Sequence, residues 1–191
     1  MNNENIRDFF NKVATNYVHD DSIAIEELLD SLNLSKFPRI LDLGCGKGII
    51  SNRLLQRNSG EVIAIDLSDR MIEFAKKENT QSKVKFINAD FYDFESEKPF
   101  DMIVCFDAFP HFLDVDGYVE KAASLLRKGG ELIIAHDIGR EELNSHHHAH
   151  AMGVSRMLKD PIDESKPFEK LFDIVLANEG TNYYHIFLKK R

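Results

Sequence analysis

The 191-residue chain has only two cysteines, Cys45 and Cys105. Two thiols cannot build the disulfide framework of a small secreted protein, and reduced thiols suit a reducing compartment. No apolar run approaches the roughly 18 residues that a membrane-spanning helix needs. The opening MNNENIRDFF carries Asn and Glu where a secretory leader would have a basic segment and then an apolar one. A cytoplasmic location without a membrane partner is therefore expected. Dense basic tracts are missing too: Lys and Arg number 24 against 32 Asp and Glu, a formal charge of -8, and the cations are scattered. Phosphate recognition needs a concentrated basic surface, so no nucleic-acid partner is expected. Internal repeats and clear domain boundaries are also absent, and no feature specifies an oligomeric state.

What is present is an ordinary globular composition, 43% hydrophobic and 29% charged, in a length suited to a single domain over residues 1–191. From about residue 37, short β-branched apolar runs alternate with amphipathic stretches, the pattern of a parallel sheet built from βαβ units. Seven strands are predicted: RILDL (39–43), EVIAID (61–66), VKFINA (84–89), DMIVCF (101–106), ELIIAH (131–136), FDIVLA (172–177) and YYHIFLKK (183–190). NEGTN is too short for a crossover helix, so the last two strands should form an antiparallel hairpin. In VDGYVEKAASLLRKGG, residues Val119, Ala122, Ala123 and Leu126 repeat at helical spacing. Arg127 and Lys128 suit the last turn of that helix, with Gly129 or Gly130 beyond it. Residues 1–37 contain two helices, NIRDFFNKVATNYV and SIAIEELLDSLNL, expected to cap the ligand-binding end of the sheet.

The first strand runs into ILDLGCGKG, with glycine at 44, 46 and 48. Glycines permit positive φ and close approach of a ligand to the backbone. In an open parallel sheet this is where ligands bind. The spacing disfavours two ligand types. A dinucleotide fingerprint from Gly44 would need glycine at Ile49, and from Gly46 a small residue at Ser51, which is a poor match. A phosphate-binding P-loop fails because Lys47 is followed by Gly48 instead of Ser or Thr.

ILDLGCGKG, VIAIDLS and NADFYDF together resemble the class I S-adenosylmethionine-dependent methyltransferases, in particular the methyltransferase-domain type 11 group, over about residues 5–136. The resemblance implies an α/β, Rossmann-like, doubly wound, seven-stranded, mostly parallel sheet. Gly44, Gly46 and Gly48, with Cys45 between them, would lie against the methionine and ribose parts of S-adenosylmethionine, and Asp42 would place the methionine ammonium. Asp66 would hold both ribose hydroxyls, since a carboxylate can accept two vicinal donors, with Leu67 and Met71 beside it. Asp90 would meet the adenine amino group, flanked by Ala89 and Phe91. FDMIVCFDAFPHF matches the stretch passing the sulfonium and acceptor, which brings in Cys105. FFNKVATNYVHD is similar to the family's opening helix, although Val18 stands where an acid usually follows the tyrosine, next to Tyr17 and His19.

Methyl transfer requires mainly alignment, and a base only where the acceptor must lose a proton. Asp107, His111 and His136 are the candidates for acid-base or orienting work. Asp107 has the alternative role of capping the following helix, and His111 of packing between Phe109 and Phe112. Cys45 and Cys105, on what should be neighbouring strands, could lie near one another beside the cofactor as a thiol pair for a soft metal or metalloid acceptor, or be simple apolar fillers. Five of the eight histidines fall between 136 and 150, in a variable lid expected over 138–167. His136, His146, His147 and His150 could converge on a divalent metal, although the spacing matches no familiar zinc motif. The expected function is methyl transfer from S-adenosylmethionine to a small-molecule acceptor. The alternatives are a nicotinamide-dependent oxidoreductase, and a non-catalytic metal-binding or sensor module that uses the histidines.

Overall fold

The computed structural model describes residues 3–17, 23–58, 60–80, 82–151 and 153–191, without the side chain of His150. Val18 and His19 lie outside the described residues. Two helices, α1 (Asn3–Val13) and α2 (Ile23–Ser31), precede the sheet. Then follow β1 (Arg39–Leu43), α3 (Ser51–Arg57), β2 (Glu61–Asp66), α4 (Asp69–Glu78), β3 (Lys85–Asn88), β4 (Phe100–Phe106), α5 (Val115–Leu125) and β5 (Leu126–His136). The chain ends with α6 (Arg140–His150), α7 (Pro161–Ser165), β6 (Phe172–Gly180) and β7 (Tyr183–Lys190).

The strands form one seven-stranded sheet in the order β3-β2-β1-β4-β5-β7-β6. β1 to β5 are parallel, while β7 pairs antiparallel with both β5 and β6. The doubly wound sheet and its C-terminal hairpin are those that the sequence predicted. Strand order reverses between β1 and β4, which opens a crevice at their carboxyl ends.

The central strands read as continuous apolar runs because both faces are covered. Leu41, Leu43, Ile103 and Cys105 face a core completed by Tyr118, Val119 and Ala122 of α5 and by Phe168. Their alternate neighbours Ile40, Met102 and Val104 face a second core with Leu54 of α3 and Ile72 and Ala75 of α4. Ile25, Leu28, Leu29 and Leu32 recur at helical spacing and join this second core. Thus α2 belongs to a face of the sheet, while α1 lies over the strand ends, packing Ile6, Phe9 and Phe10 against Ala151 and Val154.

One element boundary differs from the sequence reading. The expected helix over LLRKGG stops at Leu125, and Leu126 to Gly130 are already strand. Tertiary partners account for this: Leu126 pairs with Phe100, the Nε of Arg127 donates to Asp101 Oδ1 at 2.5 Å, and Lys190 Nζ donates to Leu126 O at 2.7 Å. Gly129, at φ +71, lies in the irregularity after which register resumes at Met102 and Glu131.

Candidate active site

The glycine loop leaves β1 with Gly44, Gly46 and Gly48 at φ +74, +52 and +83. Their reasons differ. A Cβ on Gly44 would come within 2.5 Å of Ala108 Cβ, so the loop and the end of β4 touch backbone to side chain. A Cβ on Gly46 would meet nothing within 4 Å, because that position faces open space. The loop amides are used internally. Gly44 N and Cys45 N donate to Ile65 O at 2.9 and 3.0 Å, Gly48 N donates to Cys45 O at 2.8 Å, and Gly46 N donates to Asp66 Oδ2 at 2.8 Å.

Two cavities flank this loop. The first, with about 720 Å³ of empty space, is lined by Asp66, Leu67 and Met71 after β2, by Ala89, Asp90 and Phe91 after β3, and by Asp107, His111 and Phe112 after β4. Asn3, Ile6 and Phe10 of α1 close it from above. The second, about 1050 Å³, takes in Asp42, Cys45, Lys47, Gly48 and Asn79. Tyr17, Gly44, Gly46 and Asp107 border both.

Each carboxylate stands at or just beyond the end of its own strand and is held by its own hydrogen-bond partners. Asp42, 1% exposed, accepts from Ser51 Oγ at 2.5 Å. Burial pushes its carboxyl up to about 7, against the Ser51 bond and with help from the nearby Asp66 charge. Asp66 accepts from Ser68 N and Gly46 N, both at 2.8 Å, yet burial still raises it to about 6. Asp90 Oδ1 accepts from Tyr92 N at 3.0 Å, and its Oδ2 accepts from Asn3 Nδ2 at 2.6 Å. Among the residues lining the first cavity there is no Lys or Arg. Burial, and then the charges of Asp107, Asp66 and Asp137, push the Tyr17 hydroxyl up to about 12, so it remains a neutral donor.

Asp107 follows β4 at φ +51, an uncommon backbone state for a residue other than glycine. The short helical turn after it, Phe109–His111, begins without a side-chain cap. Asp107 therefore does not fill the capping role. Instead its Oδ1 accepts from Asp137 N at 3.3 Å and lies 3.1 Å from His136 Nδ1. His136 itself is 1% exposed and sits behind the cavity wall, with neither ring nitrogen in an aligned hydrogen bond.

His111 lines the cavity, and its Nδ1 is 2.9 Å from Val154 O. A carbonyl can only accept, so the proton is assigned to Nδ1 and Nε2 keeps the lone pair. Burial lowers this imidazole to about 4, more than the Val154 bond raises it. Its ring packs against Phe10 at 4.8 Å and His147 at 5.1 Å, and not between Phe109 and Phe112 as the sequence reading allowed.

Two expectations need correcting. Cys45 and Cys105 lie in the two separate cores on opposite faces of the sheet, and Cys105 lines neither cavity. Burial raises both thiols, Cys105 to about 12, so neither supplies a thiolate at neutral pH. The histidines of α6 also diverge: His147 turns inward at 8% exposure while His146 and His148 face solvent. Among the described residues no group of three or more His, Cys, Asp or Glu could hold a metal. The imidazole of His150 lies outside the described residues. Successive residues on a helix are about 100° apart, so a histidine run cannot focus on one point.

Asn3, Ile6, Phe10, Tyr92 and Phe112 also line the first cavity and were not singled out from the sequence. Asn3, Ile6 and Phe10 carried a usable sign, since spacing of three and four puts them on one helix face.

Residues 34–190 match a methyltransferase-domain family. The malonyl-[acyl-carrier protein] O-methyltransferase of Acetivibrio thermocellus is 35% identical over 108 residues, 55% of this chain and 38% of that protein. The ubiquinone biosynthesis O-methyltransferase of Pelagibacter ubique is 30% identical over 128 residues, 66% of this chain and 53% of that one. The chain thus spans about half or less of the length of these curated relatives. Magnesium protoporphyrin IX methyltransferase from Synechocystis PCC 6803, solved with bound S-adenosylhomocysteine, superposes with a TM-score of 0.75 over 100% of both chains at 17% identity, a likeness of fold. With a family match over residues 34–190, the chain belongs to the class I S-adenosylmethionine-dependent methyltransferases.

Proposed function

We propose that the chain transfers a methyl group from S-adenosylmethionine to a small-molecule acceptor. The observation that carries this reading is the set of three carboxylates, Asp42, Asp66 and Asp90, at three successive strand ends around cavities joined at the glycine loop. A nicotinamide dinucleotide fits worse. Its pyrophosphate needs vacant backbone donors, whereas the amides of Gly44, Cys45, Gly46 and Gly48 are already bonded within the protein.

The cofactor, when bound, supplies a sulfonium methyl that is already electrophilic. This chain supplies the placement. Asp66 accepts the two ribose hydroxyls, and Asp90 accepts the adenine amino group while Ala89 and Phe91 flank the ring. Leu67 and Met71 exclude water beside the ribose. Asp42, Gly44, Gly46 and Gly48 border the space for the methionine part, which gives its ammonium a carboxylate partner. Phe10, His111, Phe112 and Asp107 then bound the side where an acceptor would lie. His111, neutral and with its lone pair on Nε2, accepts a hydrogen bond from the acceptor and orients it, since burial leaves the imidazole too weak a base to hold the proton at neutral pH. Asp107, with His136 behind it, orients that acceptor. The formal charge of -8 favours a small molecule over nucleic acid. The two curated relatives are, by their names, O-methyltransferases, one of malonyl-[acyl-carrier protein] and one of ubiquinone biosynthesis. Among the described residues no helix is long and apolar enough to cross a membrane.

The test is calorimetric titration with S-adenosylhomocysteine, using NAD as the parallel control. Binding of the first alone is expected, and Asp66→Ala should weaken it by roughly 30-fold, the loss of hydrogen bonds to a charged acceptor, while the protein stays folded. Unchanged affinity in the folded variant would remove Asp66 from the ribose site, and NAD binding alone would overturn the reading.

A further inference from the structure

The contact that ties the first turn of α1 over the cavity falls on an atom that the cofactor needs. Of the two oxygens of Asp90, Oδ1 is committed to Tyr92 N at 3.0 Å. Oδ2 is occupied from across the fold, by Asn3 Nδ2, which donates to it at 2.6 Å. A carboxamide nitrogen and the exocyclic amino group of adenine are chemically alike: each is planar, conjugated, uncharged and carries two N–H donors. Asn3 also lines the same cavity as Asp90, Ala89 and Phe91, which flank the adenine space.

We propose that Asn3 is a gate residue of the adenine subsite: its carboxamide holds Asp90 Oδ2 in place of the adenine amino group and must leave before adenine binds. The inference rests on the assignment of Asp90 as the partner of adenine. The geometry of α1 allows the release to be local. Asn3 is the first residue of the helix. Further along, Asn11 Nδ2 donates to Asp69 Oδ1 at 2.7 Å, and Asn11 Oδ1 accepts from Ser68 Oγ at 2.6 Å. Phe10 packs edge-on to His111. The body of α1 therefore remains docked by contacts independent of Asp90, while the first turn swings aside and the freed carboxamide is solvated by water. A site whose competent form is only a fraction of the population binds with affinity reduced by that fraction. Removing the gate raises the fraction.

The test compares S-adenosylhomocysteine binding to the full chain as wild type, Asn3→Ala, Asp90→Ala and the double variant, by calorimetry and stopped-flow, with melting curves to confirm folding. Asn3→Ala is expected to bind roughly three- to tenfold tighter, with the gain in the association rate and an unchanged dissociation rate. Asp90→Ala is expected to bind more weakly, and adding Asn3→Ala to it should change nothing. Unchanged or weaker binding by Asn3→Ala overturns the gate; weaker binding would mean that Asn3 contacts adenine directly. A gain that persists without Asp90 overturns it as well. If Asp90→Ala alone binds like wild type, the adenine assignment itself falls, and the gate with it.

Discussion

The two sides of the cavity are built in opposite ways. On the side we assign to the cofactor, Asp42, Asp66 and Asp90 each sit in or within two residues of a strand, and Asp66 and Asp90 accept from loop amides at those strand ends. On the acceptor side, His111 is held by Val154, 43 residues away, and the turn bearing it is clasped by Arg156. Arg156 N donates to Pro110 O at 2.9 Å, its Nε donates to Phe112 O at 3.2 Å, and its guanidinium lies 4.5 Å over the Phe109 ring. One side is fixed by strand geometry, the other by a few long-range anchors. The first suits a constant ligand and the second an acceptor that can change with a small number of substitutions.

The largest expected effect attacks the acceptor side. Arg156 Nη1 pairs with Glu164 Oε1 at 2.8 Å, and Glu164 is 3% exposed. Arg156→Met leaves that buried carboxylate without its charged partner, held only by the Lys159 amide, which donates to Oε2 at 2.8 Å, and this should cost about 3 kcal/mol in a denaturant titration. A cost below about 1 kcal/mol would mean that the clasp is dispensable and the contrast false. Next comes the loop. Gly44→Ala puts a Cβ against Ala108 in a left-handed backbone, and about 2–3 kcal/mol of destabilisation with loss of S-adenosylhomocysteine binding is expected. Retained binding would show that the loop yields where strand geometry is said to fix it.

The smallest effect is a pH dependence confined to the cofactor side. Burial raises the carboxyls of Asp66 and Asp42 to about 6 and 7, and in the proposed reading the ionised forms are the ones that take two ribose hydroxyls and the ligand's ammonium. Affinity for S-adenosylhomocysteine should be full at pH 8 and roughly tenfold weaker at pH 6. Stability runs the other way for these two groups. Raised carboxyls favour the folded state most below about pH 4, and that contribution is lost as pH rises through 6 to 7. A flat affinity profile from pH 8 to 5 would place ionisation of both groups outside ligand binding.

This division also sets what the sequence could disclose. The sheet, the glycine loop and Asp42, Asp66 and Asp90 are legible because a strand, its turn and its terminal acid are contiguous. The pairing of Asn3 with Asp90 spans 87 residues and leaves no local sign. RKGG resembles a helix ending in every local respect, and distant partners, Phe100 and Lys190 at Leu126 and Asp101 at Arg127, make it a strand. The inward turn of His147 was hidden for a related reason. Leu143 and His147, four apart, are the buried positions along this side of α6, too few apolar residues to reveal which face would be buried.

The bonding of the four amides at Gly44, Cys45, Gly46 and Gly48 within the protein has a consequence for life among competing ligands. Phosphorylated nucleotides share the adenosine half of the methyl donor and are abundant wherever metabolism runs. Such a molecule could satisfy Asp66 and Asp90, but its phosphates would then arrive beside Asp42 and Asp107 and find the amides of Gly44, Cys45, Gly46 and Gly48 occupied. Discrimination of this kind needs no clash and no dedicated filter. It is written into which donors the fold keeps for itself.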